Sequence, residues 1–143
     1  MSETTDPGRR KVLVVDDDST IRAMVTLMLR TCNVKVYDAR NGREGVAVAE
    51  LISPQLILLD LTMQGMDGIE VVKALRGHAN ELLRKVPVVI FTASPEAMRK
   101  KALEAGANAV LEKPCPRSLL IQFIEMYLGP VCSKGSKTSR RNG

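Results

Sequence analysis

The sequence is poor in the residues that build many catalytic and metal sites. Its 143 residues include no Trp, one His, two Tyr and two Phe. Because His78 is the single imidazole, histidine-based metal sites and Ser-His-Asp triads are nearly excluded. No apolar run approaches the ~20 residues of a membrane span, and the polar first eleven residues do not resemble a secretory signal peptide. We therefore expect a protein without a membrane segment, located in the cytoplasm.

Cysteine is also scarce. Cys32, Cys115 and Cys132 lie far apart in the chain, and no two of them form a C-x-x-C pair. This spacing argues against a disulfide framework and against a zinc site, and it favours a reducing compartment. We expect Cys115 to be a small buried thiol rather than a redox-active group.

The positive charge of the chain is concentrated at its end. The sequence contains 21 Lys+Arg against 16 Asp+Glu, a formal net charge of +5. Residues 129–143 contain four of these bases and no acid, so 1–128 is nearly neutral. We expect a disordered head at 1–9, one folded domain at 10–128 and a basic, disordered, Gly- and Ser-rich tail at 129–143. Nucleic-acid binding is not expected from the body and would be weak and salt-dependent from the tail.

Short apolar runs rich in β-branched residues alternate with segments of helical periodicity. The runs lie at 11–15, 34–37, 55–59, 86–91 and 108–112, and their length and composition predict buried strands. Consecutive strands joined by helical crossovers predict a parallel sheet covered on both faces, that is, a doubly wound α/β domain of five strands and five helices. We expect residues 81–84 to extend the third helix.

Polar side chains stand where these strands end. Asp16 and Asp17 follow the first strand, Asp60 follows the third, Thr92 ends the fourth and Lys113 follows the fifth. The carboxyl ends of the strands form the ligand-binding edge of an open α/β sheet, so we expect these groups to converge. Close carboxylates repel one another unless a cation neutralises them, and an all-oxygen set suits Mg²⁺. A hydroxyl and an ammonium group opposite the acids suit a phosphoryl group.

These motifs together resemble the receiver domain of bacterial response regulators, the phosphoacceptor module of two-component signalling. The matching stretches span 11–128 and are VLVVDDD at 12–18, LLD at 58–60, MDG at 66–68, FTAS at 91–94, GA at 106–107 and KP at 113–114. The resemblance implies a flavodoxin-like, chemotaxis-receiver fold with strand order 2-1-3-4-5. It also implies that the chain is a phosphoprotein of a phosphorelay. Such a protein catalyses only its own phosphorylation and dephosphorylation.

The resemblance assigns roles to the acidic residues. It implies that Asp60 is the phosphoacceptor and becomes an aspartyl phosphate. It implies further that Asp17, Asp60 and the backbone carbonyl of Thr62 bind Mg²⁺ directly. Asp16 would act largely through a metal-bound water.

The resemblance also assigns roles to the groups opposite the acids. It implies that Thr92 and Lys113 contact phosphoryl oxygens, and that the peptide bond before Pro114 is cis. The sequence departs from the usual family pattern at three positions. Val110 and Cys115 stand where aromatic residues are common, and Gln64 stands where proline is common. Val110 stands where the usual aromatic switch residue would be.

The expected partners follow from the same resemblance. A histidine kinase or phosphotransfer protein would donate the phosphoryl group, and an unnamed downstream protein would receive the signal. The responding face would comprise the fourth helix, the fifth strand and the fifth helix. The last helix has eight apolar residues between 119 and 128, more than one buried stripe requires. We therefore expect an exposed apolar patch there, used for a homodimer or covered by an output domain.

Three functional readings stay open from the sequence. A stand-alone signalling module is favoured because few residues follow the last helix. DDDST at 16–20 also fits the D-x-D-x-T start of haloacid-dehalogenase-type phosphatases, with Asp16 as nucleophile and Asp18 as acid/base. Thr92 or Ser94 and Lys113 would be their partners. The third reading is the N-terminal receiver of a longer regulator with a nucleic-acid-binding output.

Overall fold

The computed structural model describes residues 9–93 and 95–132, and this part of the chain folds into five strands and six helices. The strands are β1 (Arg10–Val15), β2 (Val34–Ala39), β3 (Leu56–Leu59), β4 (Val88–Thr92) and β5 (Ala109–Glu112). The helices are α1 (Ser19–Met28), α2 (Gly42–Ile52), α3 (Gly68–Arg76), α4 (Glu81–Lys85), α5 (Pro95–Ala105) and α6 (Arg117–Leu128). The disorder expected of 1–8 and 133–143 lies outside the described residues.

The strands form one parallel sheet in the order β2-β1-β3-β4-β5, which confirms the predicted topology. Leu13 of β1 pairs with Ile57 of β3, and Val14 pairs with Leu58. Successive side chains of a strand point to opposite faces. Leu13 and Ile57 therefore join the cluster under α2 and α3, whereas Val14 and Leu58 join the cluster under α1 and α6. Burial on both faces explains why β3 and β4 are nearly continuous apolar runs, whereas the edge strand β2 contains Lys35 and Asp38 and is only partly buried.

The predicted count of five helices is wrong, because residues 81–85 form a helix of their own. Gly77 ends α3, and its N–H donates to the carbonyl of Lys73. The side chain of Asn80 then accepts a hydrogen bond from the Leu82 N–H and begins α4. An Asn cap inside this stretch favours a new helix start over continuation. The predicted fourth and fifth helices are thus α5 and α6.

The folded part of the chain continues past the predicted boundary at 128. Val131 is buried, and its carbonyl accepts a hydrogen bond from the Asn33 N–H in the connection between α1 and β2. The next residue, Cys132, forms a disulfide with Cys32. The expectation that the spacing of the cysteines argues against a disulfide is therefore wrong for Cys32 and Cys132, whereas Cys115 is free and buried as expected. Their sequence separation of 100 residues conceals a proximity created when the chain turns back after α6.

The last helix buries, fully or partly, all of its large apolar residues except Met126. Leu120, Ile124 and Leu128 form its buried stripe, and Ile121 and Phe123 are partly buried beside it. The exposed apolar patch expected on this helix is correspondingly small; Met126 is its strongly exposed large residue. Within the described residues, no helix has the length and apolar character needed to cross a bilayer.

Candidate functional site

The polar residues at the strand ends meet at the carboxyl edge of the sheet. Asp16 and Asp60 directly follow β1 and β3, and the Asp60 N–H donates to the carbonyl of Val15. Thr92 is the last residue of β4, and Lys113, just after β5, donates its N–H to the Thr92 carbonyl. The backbone ladder of a parallel sheet thus places these side chains side by side, as the strand pattern predicts.

Three carboxylates and one ammonium group form the centre of the site. Each of Asp16, Asp17 and Asp60 offers a carboxylate oxygen, and these oxygens lie within 4.8 Å of one another. The Lys113 Nζ lies 2.7 Å from Asp16 Oδ2 and 3.4 Å from Asp60 Oδ1. Asp16 is 2% exposed and Asp60 3%, whereas Asp17 is exposed at the mouth. The donor set is thus buried at Asp16 and Asp60 and open to solvent at Asp17.

The Asp60 carboxylate is incompletely satisfied. Its Oδ1 is buried and, among the described residues, has no hydrogen-bond partner. The Lys113 ammonium attracts it electrostatically, but 3.4 Å is too long for a well-formed hydrogen bond. Buried polar atoms are rarely left in this state without a functional reason. A hard cation beside Asp16, Asp17 and Asp60 would satisfy this oxygen, so the residues present fit a magnesium site.

Burial and neighbouring charges both shift the pKa values of Asp60 and Lys113. Burial raises the pKa of Asp60, and the nearby Asp16 carboxylate raises it further, although Lys113 and the Thr62 backbone N–H lower it. For Lys113, burial lowers the pKa, but the hydrogen bond to Asp16 and the charge of Asp60 outweigh burial, so its pKa is raised. Lys113 therefore stays cationic and partly neutralises a site with an excess of negative charge.

Two residues that support the site were given no role in the sequence analysis. Arg22 of α1 donates from Nη1 to the backbone carbonyl of Asp16 at 2.8 Å and from Nε to Asp38 at 3.0 Å. The Phe91 ring centroid lies 5.9 Å from the Lys113 Nζ, within reach of a cation–π interaction. No local pattern marks Arg22, because its contact depends on how α1 packs on the sheet. Phe91 could have been found from its position beside Thr92.

The other residues that the sequence analysis singled out lie in several parts of the fold. Thr62 is exposed in the loop after β3, and the Lys113–Pro114 peptide bond is cis, as the resemblance implies. Val110, at the position of the usual aromatic residue, is buried in the cluster under α2 and α3. Asp67 caps α3 through a capping box with Glu70. Ser94 lies outside the described residues.

Cys115 should react slowly with alkylating agents in the folded protein. Burial raises the pKa of this thiol, although a backbone hydrogen bond from Leu120 lowers it. The reactive species is the thiolate, which is scarce below a raised pKa. We expect iodoacetamide at neutral pH to modify native, oxidised protein about tenfold more slowly than urea-unfolded protein, with the native rate rising as the pH rises. Equal native and unfolded rates would contradict this, and Cys115→Ser supplies the background.

The doubly wound sheet and its acidic edge define a receiver domain of two-component signalling. The chain belongs to the response regulator receiver domain family, whose model matches residues 12–125. This match covers the whole of the site described above. The match supports the receiver reading over the phosphatase reading, in which Asp60 had no role. Accordingly, Asp18 serves as the N-cap of α1, where its side chain accepts a hydrogen bond from the Thr20 N–H.

Curated relatives support the same assignment. The chain is 37% identical over 114 residues to the transcriptional regulatory protein ResD of Bacillus subtilis, covering 78% of this chain and 45% of ResD. It is 34% identical over 124 residues to the DNA-binding response regulator MtrA of Mycobacterium tuberculosis, covering 86% of this chain and 52% of MtrA. The chain thus spans about half the length of these relatives.

Solved structures agree in fold. The chemotaxis protein CheY4 of Vibrio cholerae superposes with a TM-score of 0.76 at 32% identity, covering 84% of this chain and 99% of CheY4. The receiver domain of the sensor histidine kinase PA1611 of Pseudomonas aeruginosa superposes with a TM-score of 0.77 at 28% identity, covering 85% and 99%. That structure has a magnesium ion coordinated in its active-site cleft.

Proposed function

We propose that this chain is a phosphoacceptor whose Asp60 accepts a phosphoryl group in a Mg²⁺-dependent reaction. The observation that supports this proposal is the buried Asp60 Oδ1, which has no hydrogen-bond partner among the described residues and lies 3.4 Å from Lys113. Asp17, Asp60 and the Thr62 backbone carbonyl would hold the ion directly, and Asp16 through a water. The ion, when bound, supplies positive charge that offsets the negative charge of the phosphoryl oxygens.

The residues of the chain have separate roles in this reaction. A carboxylate oxygen of Asp60 forms a bond to phosphorus while the bond between phosphorus and the donor's imidazole nitrogen breaks, and the imidazole keeps the electron pair. The Lys113 ammonium and the Thr92 hydroxyl bind phosphoryl oxygens and stabilise the charge that develops there. Arg22 positions Asp16 through its backbone carbonyl. The chain thus catalyses only its own phosphorylation and dephosphorylation.

The proposed partners are a phosphoryl donor and a downstream protein. The donor is a histidine kinase or a phosphotransfer protein, and the encounter takes place in the cytoplasm. The proposed responding face consists of α5, β5 and α6. Leu103 of α5 and Met126 of α6 are large apolar residues that are 40% and 64% exposed, which suits a face that binds a protein or a second copy of the chain.

A nucleic-acid-binding output is the second candidate. The relatives ResD and MtrA are named as a transcriptional regulatory protein and a DNA-binding response regulator, and the chain spans about half of each. We propose the receiver of such a regulator as the alternative to a stand-alone module. Gel-shift comparison of the full chain with a 1–132 truncation would show whether the basic tail adds nucleic-acid affinity; equal behaviour would discard that role.

Among the described residues, magnesium should bind at the Asp60 site and at no other acidic loop. We expect Mg²⁺ to shift the amide NMR signals around Asp16, Asp17 and Asp60, with beryllofluoride extending the shifts toward the responding face. Asp17→Asn should weaken Mg²⁺ binding by about tenfold or more, because a charged ligand is replaced by a neutral amide. The matched control is Asp67→Asn, in which Asn is also a good N-cap. Unchanged affinity in Asp17→Asn would contradict the proposed ligand set.

A further inference from the structure

The Cys32–Cys132 disulfide lies at the opposite end of the strands from the proposed phosphorylation site. Cys32 lies in the connection between α1 and β2, two residues before Val34. β2 then runs six residues to Ala39 at the carboxyl edge, a length of roughly 17 Å at ~3.3 Å per residue. Asp60 lies at that carboxyl edge, since it directly follows β3. The disulfide is therefore outside the machinery described above.

Non-covalent contacts hold Cys132 in place beside Cys32. The Glu125 carboxylate accepts hydrogen bonds from the Val131 N–H at 3.0 Å and from the Cys132 N–H at 3.1 Å. The Val131 side chain is buried, and the backbones of Cys32 and Cys132 form an antiparallel β-bridge. These contacts do not depend on the covalent bond, so the two sulfur atoms stay close when it is broken. The pair is therefore pre-organised for repeated oxidation and reduction.

The surroundings of the two sulfurs are unequal. Cys32 is buried and 6% exposed, whereas Cys132 is partly exposed. The Arg117 Nη2 lies 3.9 Å from the Cys32 Sγ, and the same guanidinium donates to the Met28 carbonyl at 2.7 Å and to Thr31 Oγ1 at 2.8 Å. A fixed cation beside a sulfur favours its thiolate. An incoming thiolate therefore attacks Cys132, and Cys32 is the stabilised leaving group.

We propose that Cys32 and Cys132 form a reversible redox site whose substrates are low-molecular-weight thiols and disulfides of the glutathione class. In reduction, the external thiolate forms a bond to Cys132 Sγ as the Cys32–Cys132 bond breaks, and Cys32 takes the electron pair. A second external thiolate then attacks the external sulfur of the mixed disulfide. The bond to Cys132 Sγ breaks, Cys132 takes the electron pair, and the two external thiols leave joined as a disulfide. Two electrons thus pass from the two external thiols to the protein, and the two cysteines end as thiols after protonation.

The redox state controls how the end of the described chain is attached. When the pair is oxidised, Cys132 is covalently fixed beside Cys32. When it is reduced, Cys132 is held by the Glu125 hydrogen bonds and by the burial of Val131. The cytoplasmic setting rests on the proposed function, and disulfides there are mostly transient and redox-sensing.

Thiol counting on the full chain tests the pairing. Protein equilibrated with oxidised glutathione should show one alkylatable thiol after denaturation, Cys115, whereas protein treated with dithiothreitol should show three. Glutathione buffers should give a single two-electron transition that Cys115→Ser leaves unchanged and Cys132→Ser abolishes. The oxidised form should melt on the order of 10 °C higher, because the bond joins residues 100 apart in sequence. Three free thiols in the glutathione-oxidised protein would overturn the proposal.

The rate of reduction tests the role of Arg117. Arg117→Met should slow reduction by dithiothreitol roughly three- to tenfold, because the leaving thiolate loses its cation, and Arg117→Lys should recover most of the rate. A purely structural role predicts the opposite result, since loosening α6 would expose the disulfide and accelerate reduction. Unchanged or faster reduction in Arg117→Met would contradict the assigned role.

Phosphorylation is measured in parallel to keep the two proposals separate. Acetyl phosphate should label the oxidised and reduced forms to the same extent, because the disulfide and Asp60 lie at opposite ends of the strands. If neither form is labelled while the thiol counts change as expected, the proposed function fails and the redox site stands. If labelling is normal but the three thiols never pair, the redox site fails alone.

Discussion

Asp60→Asn is expected to reduce Mg²⁺-dependent labelling by acetyl phosphate or by a cognate kinase to background. The carboxamide is isosteric with the carboxylate but lacks the anionic oxygen that attacks phosphorus. The loss should not reflect unfolding. Asp60 is buried and close to Asp16, and its charge is incompletely satisfied, so removing that charge should leave the unfolding temperature in Mg²⁺-free buffer unchanged or higher.

The control for this experiment is the same substitution on a neighbouring loop. Asp67→Asn retains the N-cap of α3, and it should be labelled as the unmodified protein is. The label that survives acid and the label that hydroxylamine releases should be measured separately. An aspartyl phosphate is an acyl phosphate, so hydroxylamine cleaves it. Full labelling of Asp60→Asn would show that the phosphoacceptor is another residue.

Gly68→Ala is expected to destabilise the fold by about 3 kcal/mol, at the upper end of overpacking effects. A Cβ on Gly68 would lie 2.5 Å from the carbonyl oxygen of Asp60 and 2.7 Å from the Cα of Leu61. Both are backbone atoms, so no side-chain rotation relieves the contact. The displaced segment contains the phosphoacceptor itself. Labelling of the folded fraction should therefore fall together with stability.

The matched control is Gly77→Ala at the other end of α3. Gly77 has a φ of −95°, and a Cβ there would meet the Lys73 carbonyl oxygen at 3.4 Å, an ordinary contact. We expect a change within about 0.5 kcal/mol in urea unfolding. If Gly68→Ala is as stable as Gly77→Ala, the close packing of α3 against the end of β3 is not as described.

The residues that meet at the site could be predicted from the sequence because strand ends are local features. The strands β1, β3 and β5 are short and largely apolar, and the residue after each of them is polar: Asp16, Asp60 and Lys113. In a parallel sheet all such ends meet at one edge. The order of the strands was supplied by the family resemblance, since an apolar run does not specify which neighbour it pairs with. The start of α4 was missed although its Asn80 cap is a local signal.

The disulfide shows what local patterns do not contain. Cys32 and Cys132 are 100 residues apart, and nothing beside either residue marks the other as its partner. Their contact exists because α6 packs on the same face of the sheet as α1 and the chain then turns back. The contact between Arg22 and the Asp16 carbonyl depends on the same packing of α1.

The sequence by itself therefore determined the fold class, the edge where the site lies and the charges it contains, because apolar periodicity and strand ends depend on neighbouring residues. Only the tertiary structure decided which carboxylate oxygen has no hydrogen-bond partner within the described part of the chain, which glycine has no room for a side chain and which cysteines are joined. These depend on distances of a few ångströms between atoms that are remote in the chain, and such distances are set by packing after the elements have formed.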